Sequence, residues 1–102
     1  MRPEELFERI KEKKEGTIHL VGEGERLNRP EDGYQPTLDA KIKYELDGSE
    51  IAEEGSIADN LHELHSEIEK ILENLSALLT EEGYQCVIEG GELYFKKLEN
   101  AN

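Results

Sequence analysis

A chain of 102 residues with 25 acidic and 12 basic side chains, a formal net charge of −13, makes one small domain with room for a single core. That charge has the wrong sign for direct binding to nucleic acid or to an anionic membrane surface. No apolar run is long enough to span a bilayer and Met1-Arg2-Pro3-Glu4-Glu5 lacks the apolar segment of a secretion signal, so a cytoplasmic protein is expected.

Pro3, then Leu6, Phe7 and Ile10 on one face, with Gly16 beyond the last turn, predict a short opening helix. Thr17 to Gly22 reads as a strand with Ile18 and Leu20 on one side and His19 and Val21 on the other. Glu23 to Pro36 shows no usable period and holds Asn28, Pro30, Asp32, Gly33 and Pro36, which predicts a 14-residue loop. Arg26, Leu27, Arg29 and Tyr34 in that loop would tie it down or dock a partner. Leu38, Ala40, Ile42, Tyr44 and Leu46 alternate with Asp39, Lys41, Lys43 and Glu45, a strand with one wet side, and Asp47-Gly48 turns it into a short returning strand near Ser49 to Glu53.

Ser56 with Asp59 three residues later looks like a capping box, and Gly83 is placed as a left-handed stop. Between them a helix of about 26 residues is predicted, roughly 39 Å long at 1.5 Å per residue. Ile57, Leu61, Leu64, Ile68, Ile71, Leu75 and Leu78 follow a 4-3 spacing that Leu72 and Leu79 widen into a stripe suited to packing on a sheet. Tyr84 to Glu89 and Glu92 to Leu98 flank the Gly90-Gly91 turn. Pairing Ile88 with Leu93 and Cys86 with Phe95 aims those four at the long helix and turns Val87 and Tyr94 away. The predicted fold is α+β in the order α-β-β-β-α-β-β, one antiparallel sheet packed on a long amphipathic helix, a single domain over 1–98 with a frayed tail at 99–102.

Chemistry is sparse in this pattern. Gly22-Glu23-Gly24-Glu25-Arg26-Leu27 begins like a phosphate loop, but the third glycine is missing, two glutamates repel phosphate and no helix follows. His62, His65 and Glu69 stand at i, i+3 and i+7 of the long helix, where two imidazoles and a carboxylate would span roughly 60° of one flank. No further ligand is identifiable, so no metal and no cofactor are expected, and a metal-dependent enzyme is the alternative this trio keeps open. Cys86, the only cysteine, is expected to be a buried, inert thiol with no base beside it. No other nucleophile and base stand in register, so catalysis is not expected.

Charge points to a partner instead. Between Gly48 and Glu82 ten acidic residues face the single Lys70, a local charge of −9. Asp59, Glu63, Glu67, Glu69 and Glu73 are expected to form outward rows that suit a basic protein surface, including that of a nucleic-acid-binding protein. Val21, Val87 and Tyr94 are expected to form a second apolar patch, covered by Leu6, Phe7 and Ile10, by a second copy in a homodimer, or by a bound peptide. The order of Leu6/Ile10 helix, Thr17-Ile18-His19-Leu20 strand, Asp47-Gly48 hairpin and long helix resembles, over the first 70 residues at most, that of small acidic anti-CRISPR proteins that inhibit by imitating DNA. The final hairpin departs from that pattern, and no residue is carried over from it. The functional expectation is a non-catalytic acidic interaction protein of inhibitor, immunity-factor or DNA-mimic type. The other alternative is a small acidic assembly or secretion chaperone that holds a peptide on an apolar sheet face.

Overall fold

Two glycine turns and one apolar stripe organise the chain. The computed structural model describes residues 1–27 and 37–98, with the backbone alone for 25–27, 37 and 38. Along it run α1 (Pro3–Ile10), β1 (Glu15–Leu27), β2 (Thr37–Leu46), β3 (Ser49–Ser56), α2 (Leu61–Glu81), β4 (Tyr84–Glu89) and β5 (Glu92–Lys97), the predicted order. All strand pairs are antiparallel, and the single sheet is ordered β3-β2-β1-β5-β4. The Asp47-Gly48 and Gly90-Gly91 turns have φ of 50° and 85°, and of 56° and 79°, the positive pair that two-residue hairpins require.

Strand alternation decides which side is covered. Ile18 and Leu20 of β1, Ala40, Ile42 and Tyr44 of β2, and Leu93 and Phe95 of β5 are buried in one cluster with Leu64, Ile68, Leu72, Leu75 and Leu79 of α2. Leu6 and Ile10 of α1 join that cluster at 0% exposure, so α1 packs beside α2 and does not cover the opposite side of the sheet. Ile88 lies opposite Leu93 and Cys86 opposite Phe95, the pairing the sequence predicts. Tyr84 meets the edge of Phe95 with ring centroids 5.9 Å apart. At the far edge Tyr44 donates its buried hydroxyl to Glu54 of β3, whose carboxylate also receives the Met1 ammonium. Burial, then that bond, push the Tyr44 phenol pKa well up.

The boundaries differ from the sequence expectation in four places. β1 does not stop at Gly22 but continues to Leu27, so 23–27 are strand, paired to β2 from Glu23↔Lys41 to Leu27↔Thr37. The rest of the predicted loop, 28–36, and the predicted tail, 99–102, lie outside the described residues. α1 ends at Ile10, and Gly16, read as its stop, is buried within β1. β3 runs to Ser56 and is longer than predicted, with a register shift opposite Tyr44/Glu45. α2 starts at Leu61, so Ser56 is not its cap and Ile57, 97% exposed, is not in its stripe.

The cap is Asn60. Its extended backbone lets the side-chain oxygen accept the Glu63 N–H at 2.9 Å, while the Glu63 carboxylate accepts the Asp59 N–H at 2.9 Å. Ser56 closes the strand instead, its hydroxyl accepting the Ala58 N–H at 3.1 Å and donating to Glu67. The helix that results has 21 residues, one unbroken rod of roughly 32 Å.

Candidate functional site

Each residue of α2 turns the side-chain direction by about 100°, which splits the predicted acidic row in two. With the buried line through Ile68 and Leu72 as the floor, Glu63 and Glu67 fall on the flank toward the end of β3, where Ser56 meets Glu67. Glu69 and Glu73 fall on the other flank, where Glu69 and His65 border the Gly90-Gly91 turn. Asp59 lies in the connection before the helix, beside Glu63. The structure therefore gathers Asp59, Glu63 and Glu67 at the start of α2 and holds Glu69 and Glu73 apart from them.

These carboxylates differ in their commitments. Glu63 is engaged in the cap, and Glu67 is half-buried against the Ser56 hydroxyl. Glu69 and Glu73 are exposed. Among the described residues, no acidic side chain of α2 lies within 4.0 Å of a lysine or arginine nitrogen.

The basic side chains with such partners are drawn to other places. On the side of the sheet away from the helices, Lys43 reaches Glu23 at 3.1 Å, and Lys41 reaches Glu23 and Glu53 at 3.7 and 3.6 Å. The Glu23 contact raises the Lys43 ammonium pKa. His19 Nδ1 lies 3.2 Å from Glu45 on the same side. Val87 and Tyr94 face each other across β4 and β5, 54% and 43% exposed, and Tyr94 donates to Glu15 at 3.0 Å. Val21 is not contiguous with them. Tyr94 is in register with Thr17 and Val21 with Lys43, and the Glu45–His19–Glu92 row runs between. Among the described residues the open face is thus a polar, net acidic surface on which Lys41 and Lys43 pair with Glu23 and Glu53, with a two-residue apolar spot that α1 does not cover.

Sequence reasoning missed a cationic site because its parts are far apart in the chain. The Lys97 N–H bonds the Lys14 carbonyl at 2.6 Å, which joins Lys11, Lys13 and Lys14 to Lys96 and Lys97 around an open cleft of about 1000 Å³ at the C-terminal end of α2. Glu12 and Glu15 share its lining. Lys13 is held by Asp47 at 2.6 Å and Lys11 by Glu8 at 2.7 Å, while the Lys97 ammonium stands 5.8 Å from the Tyr84 ring centre.

Among the described residues, no three His, Cys, Asp or Glu side chains converge as a metal ion requires, and His62, His65 and Glu69 do not do so. Both histidines are exposed. Cys86 is half-buried, not fully buried as predicted, because β4 is an edge strand; desolvation raises its thiol pKa against the opposing Ser76 and Thr80 hydroxyls, which keeps it protonated. No helix among the described residues is long and apolar enough to cross a membrane. Comparison of the chain with protein-family models, with curated proteins and with solved structures finds no match.

Proposed function

We propose that this chain is a non-catalytic interaction protein that docks on a basic protein surface through the carboxylates of α2 and its leading turn, as an inhibitor, immunity factor or DNA mimic would. The supporting observation is that, among the described residues, the α2 carboxylates have no lysine or arginine nitrogen within 4.0 Å, Lys70 being the one base on the helix, while Lys11, Lys13, Lys41 and Lys43 bind acids elsewhere. A rigid helix that holds Glu69 and Glu73 one turn apart presents a preorganised anionic edge, and a basic surface would gain both attraction and orientation from it.

The test is a pull-down with the tagged chain at about 50 and 500 mM salt, over which the Debye length falls from roughly 14 to 4 Å. Capture of a basic protein at low salt, lost at high salt and lost in the Glu69→Lys/Glu73→Lys variant, is the expected result. Capture indifferent to both salt and charge reversal would sink the reading. The exposed Val87–Tyr94 pair supports a second reading, a peptide-holding chaperone, which predicts capture that survives high salt and disappears in Val87→Lys.

A further inference from the structure

Where β5 ends, β1 does not. Among the described residues the last hydrogen bond from β1 to that side is Leu20 N–H to the Gly91 carbonyl at 3.0 Å, after which β4 and β5 have turned back and β1 runs on to Leu27 with β2 as its one described neighbour. In an antiparallel ladder successive residues point their N–H and C=O to alternate sides. Lys14 and Leu20 bond toward β5, and Thr17 bonds toward β2 by accepting the Asp47 N–H at 2.9 Å. Even-numbered residues therefore face the β5 side, and the N–H and C=O of Gly22 and Gly24 point from the sheet edge with no strand among the described residues to receive them.

That edge is shaped to admit one. Gly22 and Gly24 are glycines within a strand, a placement that often marks close approach of another backbone. A recess of about 410 Å³ opens at the start of the edge, with Val21 and Gly22 as floor, the Gly90-Gly91 turn at one end, and His65, Ile68 and Glu69 of α2 as wall. The helix comes so close that a Cβ on Gly22 would lie 2.9 Å from Leu64 Cδ2 and 3.0 Å from Ile68 Cδ1.

Charge selects the occupant. Two copies paired edge to edge and antiparallel about Glu23 would set Glu23 of one against Glu23 of the other, and like charges directly opposite destabilise a ladder. A cationic strand meets the reverse situation, since Glu69 stands exposed on the recess wall with no lysine or arginine nitrogen within 4.0 Å among the described residues.

We propose that the Gly22–Gly24 edge of β1 binds an extended, lysine- or arginine-bearing segment of the partner as a sixth strand of the sheet. Backbone pairing to Gly22 and Gly24 supplies the register, and a basic side chain on the α2 side reaches Glu69. This rests on the basic-partner reading and adds where and in what conformation the partner is held.

The test is amide NMR of the full chain at low salt with an acetylated, amidated seven-residue peptide of alternating lysine and valine. The Gly22 and Gly24 amides should shift and exchange more slowly on titration. Glu69→Lys should weaken binding about fivefold. Gly24→Pro, which removes one edge donor and is tolerated at a free edge, should abolish the Gly22 protection while the rest of the spectrum keeps its dispersion. If the peptide shifts α2 and leaves Gly22 and Gly24 unchanged, the strand site is wrong and the basic-partner reading stands. If it shifts nothing, both fail. Equal binding of a glutamate–valine peptide overturns the charge selection, and protection of Gly22 on concentrating the protein alone assigns the edge to a second copy and overturns the proposal.

Discussion

Gly16 is glycine because Phe95 leaves it no space: a Cβ there would lie 2.7 Å from Phe95 Cζ and 3.0 Å from Asp47 Oδ1. The ring cannot withdraw without opening the core, so Gly16→Ala should cost about 1–3 kcal/mol by overpacking. Gly55 of β3 has nothing within 4 Å of the same position, and Gly55→Ala should be neutral or stabilise by up to about 1 kcal/mol through the unfolded chain. Urea midpoints of the two variants check this, and equal effects would refute the contact argument. Asp47 makes a second residue-scale case. Its carboxylate accepts from Lys13 at 2.6 Å and from the Thr17 N–H at 2.9 Å, and these bonds hold its pKa below the usual carboxylate range. A depressed folded pKa means that the stabilisation is complete above the unfolded value and is lost as pH falls through the folded one. Asp47→Asn keeps a side chain that tolerates the positive φ but removes the charge. Its stability deficit should therefore be largest near neutral pH and close on acidification below the usual carboxylate range, as read from urea midpoints between about pH 7 and 3.

At the scale of elements, the start of α2 shows how two similar local signals compete. Ser56-x-x-Asp59 and Asn60-x-x-Glu63 both have capping-box spacing, but only the second combines a strong cap with the longer acidic side chain that reaches back to an N–H. Ser56 is taken by the ladder with β2, opposite Ala40, so it cannot begin a helix. Asn60→Ala should cost about 1 kcal/mol and speed amide exchange at Leu61 to Glu63, whereas an unchanged exchange pattern would return the cap to Ser56. What was legible was local. The Asp47-Gly48 and Gly90-Gly91 turns, the alternation in β2 and the Leu64 to Leu79 stripe each carry their period within a few residues. The extension of β1 was not legible, because Gly22-Glu23-Gly24-Glu25 is poor in strand formers and is held by its neighbour, Lys41 and Lys43 bonding Glu23 across the ladder. The lysine cleft was hidden for the same reason: Lys14 and Lys97 meet only once the sheet exists. The acidic row was half legible, since composition shows the charge but the turn per residue decides that Glu67 and Glu69 leave the helix on opposite flanks.

On the scale of the whole molecule, charge and stability pull against each other. A net charge of −13 on 102 residues repels itself, and Glu69 and Glu73, one turn apart with no cation within 4.0 Å among the described residues, are a like-charge pair worth about 0.2–0.5 kcal/mol of destabilisation. Glu73→Lys would turn that pair into the favourable order of acid before base but set a lysine one turn after Lys70, which holds the net gain to about 0.2–0.5 kcal/mol, or roughly 1–4 °C in the melting temperature of a domain this size. The wild-type melting temperature should rise between about 10 and 100 mM salt, as the Debye length shortens from roughly 30 to 10 Å, and Glu73→Lys should melt higher at low salt and respond less to added salt. A melting temperature that falls with salt would mean that the ion pairs on the open sheet face outweigh the repulsion along α2. If the variant gains stability and loses partner capture in the same step, then Glu73 is retained against the interest of the fold, and binding is what retains it.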